Sequence, residues 1–354
     1  MGILSRLPIV QAPMVGVQDA ALAIAVCEAG GLGSLPCAAL SVEQARAQML
    51  AVLDATRAPF NVNFFCHKSP TPDEAAQAQW RDLLAPFYAD LGLDPQATVN
   101  APLRKPFDEN FCALLEEVRP PVVSFHFGLP EEHLLRRVRL TGAKILGCAT
   151  TVAEALWLEA RGVDAIIAQG VEAGGHRGLF LDMDLDAQPG LFTLLPQIVR
   201  SVQTPVIAAG GIVDGRGIAA AFVLGASAVQ IGTAYLLAAQ ATTSPAHRAE
   251  IQAARSDSTR LTNLFTGRPA RGLRNRLMRE LGCLHPAAPA FPLASAALAP
   301  LRAAAEARGS GDFSPLWAGQ GAAFAREGDA GDLTRQFWQE AQEAAQHLGE
   351  RLKI

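Results

Sequence analysis

Residues 164–178 read DAIIAQGVEAGGHRG, and this stretch determines how the rest of the sequence is interpreted. Its first part, 164–168, is a short apolar run, which is typical of a strand buried on both faces in a parallel sheet. A loop with four glycines follows, and it contains His176 and Arg177. Glycine lets the backbone approach a flat or anionic ligand, and histidine can move a proton near neutral pH. The stretch therefore predicts a ligand-binding loop at the end of a buried strand.

The alternation of an apolar strand with a helix is found along most of the chain. Eight strands are predicted, at 7–11, 31–35, 59–65, 122–125, 144–148, 164–168, 205–208 and 228–231. Helices or helical candidates follow them, among them one that starts after Thr71 with Pro72 in its first position. Strands that alternate with helices form parallel sheets, and eight such units predict an α/β fold of the closed (β/α)₈ or TIM-barrel type.

The region after the eighth strand changes in character, because 235–307 is rich in alanine and is predicted to be helical. We therefore assign 1–234 to the barrel and 235–312 to a helical domain inserted over its C-terminal face. Residues 313–354 are predicted to form C-terminal helices that return to the barrel, with the eighth barrel helix near 333–352.

Composition limits the classes of protein to which the chain can belong. Of its 354 residues, 50% are apolar and 18% are charged, which predicts a large folded core. The net charge of −4 argues against a nucleic-acid partner. The six cysteines form no CxxC pair, which indicates free thiols in a reducing cytoplasm and no metal site. Residues 217–246 carry no charge, but Gly225–Ser227 divides them, so a buried helix and strand are predicted instead of a membrane span.

The ends of the predicted strands carry amides, glycines and hydroxyls and few carboxylates. Active sites of such barrels lie at these ends, and phosphate sites follow strands seven and eight. Gly210 and Gly211 follow the seventh strand, and Gly232 and Thr233 follow the eighth. Backbone N–H groups in glycine turns can bind phosphate, although the same glycines could serve only as tight turns. The pattern favours a large polar cofactor over paired-carboxylate or metal hydrolysis.

Several segments together resemble the class I nitronate monooxygenases, formerly called 2-nitropropane dioxygenases. The matching segments are PIVQAPMVG, GGLGSLP, PFNVNFF, VSFHFG, QGVEAGGHRG, TPVIAAGGIVDGRGIAAAFVLGASAVQIGTAYL, TNLFTGRPARGLRN and LWAGQ. The resemblance implies FMN as the cofactor. By the resemblance, the flavin ring would be lined by Ala12, Pro13 and Met14. The flavin and its ribityl chain would be contacted by Asn63, Gln169, Gly174 and Gly175. The phosphate end would be held by Gly210, Gly211, Gln230, Ile231, Gly232 and Thr233.

The resemblance also implies an activity, in which alkyl nitronates are oxidised with O₂ to a carbonyl compound and nitrite. Propionate 3-nitronate and nitroalkanes are the candidate substrates, and detoxification is the implied role. His176 would be the catalytic base, with His126 and Arg177 contacting substrate. His126 could equally be a structural hydrogen-bonding residue, and Glu172 either orients His176 or caps a turn. A homodimer is left open.

One departure from the family concerns tyrosine, since some class I members have several around the substrate. This chain has only Tyr88 and Tyr235, so we expect Phe127, Phe265 and Trp317 to line its pocket instead. Cys148 is interpreted as a packing residue.

Two other functions remain open. An FMN-dependent NAD(P)H reductase of the enoyl-acyl carrier protein reductase or quinone reductase type could use Arg268, Arg271 and Arg274 for cofactor phosphates. A non-catalytic flavin-binding barrel would not need His176.

Overall fold

The computed structural model describes residues 4–95 and 104–353. The predicted loop at 90–105 therefore lies partly outside the described residues. Within them the strands are β1 (Ile9–Gln11), β2 (Gly33–Pro36), β3 (Phe60–Phe65), β4 (Val122–His126), β5 (Lys144–Ala149), β6 (Ala165–Gln169), β7 (Gly175–His176), β8 (Val206–Ala209), β9 (Ala228–Ile231), β10 (Thr259–Thr262) and β11 (Ala270–Leu273).

Eight of these strands form one parallel sheet with the order β1-β9-β8-β6-β5-β4-β3-β2. Its two ends also meet, because Gln11 N–H donates to Leu32 O at 2.9 Å and Leu32 N–H donates to Ile9 O at 2.8 Å. The sheet is therefore barrel-shaped, and the predicted set of eight parallel strands is confirmed.

The helices are α1 (Ala20–Glu28), α2 (Val42–Ala55), α3 (Glu74–Leu91), α4 (Glu109–Val118), α5 (Glu132–Leu140), α6 (Val152–Glu159), α7 (Leu191–Ser201), α8 (Gly215–Val223), α9 (Pro245–Gln252), α10 (Arg276–Glu280), α11 (Ala294–Glu306) and α12 (Ala330–Leu352). Many begin at a side-chain cap. Ser41 and Gln44 form a reciprocal capping box on α2, and the Asp214 carboxylate accepts from Gly217 N–H at the start of α8. Asp73, not Thr71, caps α3, so the predicted start of that helix was wrong.

The core has two layers that follow from the alternation of side chains along the strands. Ile145 and Val206 belong to the cluster that packs against the helices, whereas their neighbours Leu146 and Ile207 belong to a separate cluster on the opposite face of the sheet. Residues that are apolar at consecutive positions can therefore fill both layers, which explains the continuous apolar runs of the sequence.

The final helix α12 packs against α8 and α1, as predicted for 333–352. A Cβ at Gly215 would lie 2.2 Å from Ala341 N, so the absence of a side chain there allows the two helices to approach. The Tyr235 hydroxyl also lies 2.8 Å from Thr334 Oγ1, which ties α12 to the segment after β9.

The segment after the barrel strands is not all helical, so that prediction was wrong for part of its length. Strands β10 and β11 form an antiparallel hairpin, and β11 also pairs with the two-residue strand β7. The hairpin therefore contacts the glycine-rich loop directly.

Residues 217–246, which carry no charge, are divided between α8, β9 and the segments after them. No helix within 4–95 or 104–353 has the length and apolar character needed to cross a membrane.

Candidate active site

A cavity of about 330 Å³ lies at the carboxyl ends of the barrel strands. This volume falls in the range of small-molecule sites. The strand ends contribute one part of its wall, and residues from 244 to 321 contribute another. Predicted site residues that line it are Ala12, Pro13, Met14, Asn63, His126, Gln169, Gly174, Gly175, His176, Gly210, Gly211, Gln230, Gly232 and Thr233.

His176 is held in this cavity by the hairpin. Its backbone pairs with Ala270 of β11, and its Nε2 lies 2.9 Å from the Thr266 hydroxyl. That hydroxyl is 3.4 Å from Arg268 O, a carbonyl that can only accept. A chain of bonds from Nε2–H through Thr266 to this carbonyl leaves Nδ1 as the unprotonated ring nitrogen.

The surroundings of His176 keep its imidazole neutral. Burial lowers the pKa of His176 well below its usual value, and the positive charge of Arg104 lowers it further. The rings of Phe291 and Trp317 each lie 5.4 Å from the imidazole. A neutral histidine with a free ring nitrogen is suited to accept a proton.

Two side chains fix the backbone of the glycine loop. Gln169 Nε2 donates to His176 O at 3.0 Å, and Gln169 Oε1 accepts from Gly178 N–H at 2.8 Å. His126 Nε2 is 3.2 Å from the same carbonyl oxygen, so this nitrogen carries the proton. Burial lowers the pKa of His126 to about 3, and the ring is therefore neutral. His126 positions the loop, and because it also lines the cavity its contact with substrate remains a prediction.

The turn after β8 and the neighbouring part of the glycine-rich loop have the features of a phosphate cradle. Gly210 and Gly211 have φ of +120° and +70°, a conformation that other residues rarely adopt. A Cβ at Gly174 would lie 2.5 Å from Gly319 N, so two backbone segments meet there closely. Gln230 Oε1 is buried and lacks a hydrogen-bond partner among the described residues. Exposed backbone amides and an unpartnered amide side chain fit a flavin nucleotide.

Arg177 was predicted to contact substrate, but it does not lie in the cavity. It is fully buried, and its guanidinium donates to Gly170 O at 2.6 Å, to Gln169 O at 2.9 Å and to Gln188 Oε1 at 2.9 Å. It does not line the cavity, so its predicted contact with substrate is corrected to a structural role in the loop. Ile231 likewise packs into the core and not into the cavity.

The alternatives left open for Glu172 can now be decided, and the interpretations of Cys148 and of the pocket aromatics can be compared with the structure. Both carboxylate oxygens of Glu172 accept from Leu191 N–H, at 2.8 and 2.9 Å, so Glu172 caps α7 and does not orient His176. Burial raises the pKa of Cys148 to about 12, which keeps it a thiol. Of the three aromatic residues predicted to line the pocket, Trp317 does so, whereas Phe127 and Phe265 pack behind the wall.

Several residues of the site were not predicted from the sequence. Thr266 comes from the turn of the hairpin, and the cavity wall includes Arg104, Ser244, His247, Arg302, Glu306 and Ser314. None follows a barrel strand directly, and only tertiary contacts bring them to the site.

Comparison with known proteins gives consistent results. The family model for nitronate monooxygenase matches residues 1–340. A nitronate monooxygenase of Pseudomonas aeruginosa is 44% identical over 335 residues, which cover 94% of this chain and 95% of that protein. The crystal structure of a nitroalkane oxidase from Streptomyces ansochromogenes has a TM-score of 0.89 at 41% identity and 98% coverage of both chains. FabK from Thermotoga maritima has a TM-score of 0.72 at 28% identity, covering 100% of this chain and 98% of that one.

Proposed function

Because the chain belongs to the nitronate monooxygenase family, we propose that it oxidises alkyl nitronates with O₂, with FMN as its cofactor and His176 as its base. The proposal for His176 is supported by one observation above all. Its neutral imidazole lies in the cavity with Nε2 bound to Thr266 and Nδ1 without a partner among the described residues.

Proton transfer is the step for which this geometry is suited. The carbon next to a nitro group is acidic, so Nδ1 of His176 can remove its proton and convert a neutral nitroalkane to a nitronate. The imidazolium that results is stabilised by the nitronate anion beside it, which offsets the unfavourable effect of burial on the charged ring. A substrate that already enters as a nitronate needs no proton transfer to this ring, and the neutral imidazole supplies no charge to hold it.

FMN would be held by residues at the ends of several barrel strands that line the cavity. Pro13 and Met14 would line the ring, Asn63 would contact it, and the backbone at Gly211 and Gly232 would hold the phosphate. When bound, FMN supplies the redox chemistry that transfers electrons from the nitronate to O₂, giving a carbonyl compound and nitrite. The chain supplies orientation, proton transfer and exclusion of water by aromatic residues such as Phe65 and Trp317.

Two of the three arginines suggested for a reductase, Arg268 and Arg271, support the choice of nitronate oxidation, and the third, Arg274, is exposed and does not line the cavity. Arg268 donates to Leu179 O and stacks over Phe127, with its guanidinium carbon 4.0 Å from the ring centre. Arg271 donates to Val171 O at 2.8 Å and to Thr259 Oγ1 at 3.3 Å. Both are bound to the protein itself, which leaves them poorly suited to bind the phosphates of NAD(P)H.

The division into 1–234, 235–312 and 313–354 also remains a proposal. Its support is that α9 and α11 contribute the cavity residues His247, Arg302 and Glu306 separately from the barrel strands. Cytoplasmic location and a homodimer are proposals of the same kind.

An anaerobic mixing experiment tests the function. The purified protein is mixed with the nitronate of 2-nitropropane, and separately with NADH and NADPH, while the visible flavin spectrum is followed. We expect bleaching with the nitronate and none with either pyridine nucleotide. Fast bleaching by NADH or NADPH, with none by the nitronate, would instead establish a reductase.

A further inference from the structure

On the proposed function the substrate is a nitronate anion, and an anion that leaves bulk water needs a partner for its charge inside the cavity. His176 is neutral, so it does not supply a positive charge when a nitronate enters. Arg177 is committed to backbone carbonyls outside the cavity. The cation that binds the nitronate must therefore come from another part of the wall.

Three charged side chains are found among the described residues of the wall, namely Arg104, Arg302 and Glu306. Arg302 Nε lies 2.8 Å from Glu306 Oε1, so these two charges compensate each other. The same Glu306 oxygen accepts from the Ser314 hydroxyl at 2.7 Å, which fixes the carboxylate in place. This pair adds no net charge to the cavity.

Arg104 differs because its charge is not compensated. No carboxylate within the described part of the chain forms an ion pair with it, and the neighbouring sequence 96–103, QATVNAPL, contains no acidic residue. Burial, together with the nearby Arg302, lowers the pKa of Arg104 to about 10, so the guanidinium is still protonated at neutral pH. Arg104 is partly buried, and a partly buried cation without a carboxylate partner is favoured when an anion from outside completes the site.

The charged side chain of Arg104 lies in the same cavity as His176, the proposed base. The charge of Arg104 acts on the imidazole strongly enough to be the largest cause of its lowered pKa after burial. His67, which packs edge-on against Phe291 with ring centres 4.7 Å apart, lies near Arg104 as well, and it is neutral. The carboxylate found among the described residues of the wall, Glu306, is paired with Arg302.

We propose that Arg104 binds the nitronate anion beside His176 and is the main determinant of the preference of this site for anionic substrates. The identity of the anion rests on the proposed function, whereas the anion site itself does not. Arg104 would both hold an entering nitronate and stabilise one formed by proton transfer to His176, since the guanidinium presents paired N–H donors that match two oxygens on one atom.

Nitrate is the probe for the test, because it is a planar anion with nitrogen-bound oxygens and cannot be oxidised by the site. The flavin-loaded protein is titrated with nitrate, and the dissociation constant is read from the perturbation of the visible flavin spectrum. The variants are Arg104→Gln and Arg104→Lys. Arg274→Gln is the matched control, since Arg274 is an exposed arginine outside the cavity.

We expect Arg104→Gln to weaken nitrate binding by about tenfold to hundredfold, as for loss of a close contact between opposite charges. Arg104→Lys should retain part of the affinity, and Arg274→Gln should leave it unchanged. The KM for the nitronate should rise in parallel with the dissociation constant of nitrate. Unchanged nitrate affinity in Arg104→Gln, at normal flavin content, would overturn the proposal, and so would absence of nitrate binding in the unaltered protein. If nitrate binding depends on Arg104 but nitronate is not oxidised, the anion site stands and the proposed function fails.

Discussion

The Nε2 atom of His176 lies 2.9 Å from the hydroxyl of Thr266, a residue 90 positions further along the chain. This contact joins the glycine-rich loop after β6 to the β10–β11 hairpin, and it selects Nδ1 as the ring nitrogen available to the substrate. The hairpin therefore takes part in orienting the base.

Replacement of Thr266 by valine removes the hydroxyl while keeping the shape of the side chain. We expect kcat to fall by about tenfold, because the imidazole loses the hydrogen bond that fixes its tautomer and orientation. The KM should change little, since Thr266 is not among the cavity-lining residues. Steady-state kinetics with the nitronate and with the neutral nitroalkane provide the measurement.

Thr266→Ser serves as the control for this experiment because it restores the hydroxyl. It should recover most of the lost kcat. An unchanged kcat in the valine variant, together with a loss in the serine variant, would show that packing of the methyl group, not the hydrogen bond, is what matters at this position.

Replacement of His176 by asparagine removes the proposed base. We expect turnover of the neutral nitroalkane to fall by about 10²- to 10⁴-fold, the usual contribution of general base catalysis. The flavin content, measured from the visible spectrum, should be kept, because the glycines and amides that would hold the cofactor are unchanged. His347→Asn, on an exposed face of α12, is the control. Activity unchanged in His176→Asn would leave a binding function as the better explanation of the cavity.

The elements of the barrel could be predicted because their signals are local. Apolar runs, side-chain caps and glycine turns lie within a few residues of each other, and the sites that follow strands, such as His176 and Gly211, were found with them. The β10–β11 hairpin was missed because Thr259–Thr262 and Ala270–Leu273 are short strands. One of their partners, β7, is two residues long and about a hundred positions away, so no periodic pattern reveals the pairing.

The direction of side chains limited the prediction of the site. Arg177 is adjacent to His176 in sequence, but consecutive residues in extended backbone point to opposite sides, so the histidine faces the cavity and the arginine faces the interior of the loop. Thr266 and Arg104 are distant in sequence from the strand ends, and only the folded chain places them at the site.

Because the buried histidines are neutral in the folded chain, we expect the fold to lose stability between pH 7 and pH 5. Burial lowers the pKa of His67 and of His247 to about 4, with nearby arginines contributing. The unfolded chain, with histidine pKa near 6.5, takes up protons first as the pH falls, so the free energy of unfolding decreases below about pH 6.5. At pH 5, each of these histidines should lower the free energy of unfolding by about 2 kcal/mol.

Thermal unfolding at pH 5 and pH 7 tests this expectation. His67→Phe, which keeps the aromatic contact with Phe291, should reduce the difference between the two midpoints, whereas His347→Asn on the surface should not. The carboxylates titrate mainly below this interval, so they do not obscure the comparison. A pH difference that is identical in the unaltered protein and in His67→Phe would contradict the assignment.

Replacement of Gly174 by alanine tests the close approach at the proposed phosphate cradle. The added Cβ would lie 2.5 Å from Gly319 N and 2.7 Å from Ala318 C, and backbone atoms cannot rotate away as a flexible side chain can. We expect both a lower midpoint of thermal unfolding and a loss of bound flavin. Gly349→Ala in α12 is the control, since a Cβ there meets nothing within 4 Å and alanine favours a helix by about 1 kcal/mol. Full flavin content in Gly174→Ala would argue against a cofactor at this position.

Replacement of Arg177 by methionine tests whether Arg177 has a structural role, in contrast to Arg104, which we propose binds the substrate. The change removes the guanidinium donor from Gln169 O and leaves Gly170 O with only the Ala173 N–H at 3.1 Å, which should cost roughly 3 kcal/mol of stability. Chemical denaturation gives this value, and Arg200→Met, at an exposed position of α7, should cost only a few tenths of a kcal/mol. The dissociation constant of nitrate should remain within about twofold in the folded fraction of Arg177→Met, because no atom of Arg177 lines the cavity. If stability is kept and nitrate affinity is lost in Arg177→Met, then Arg177 contacts the substrate, and the reason for assigning anion binding to Arg104 no longer holds.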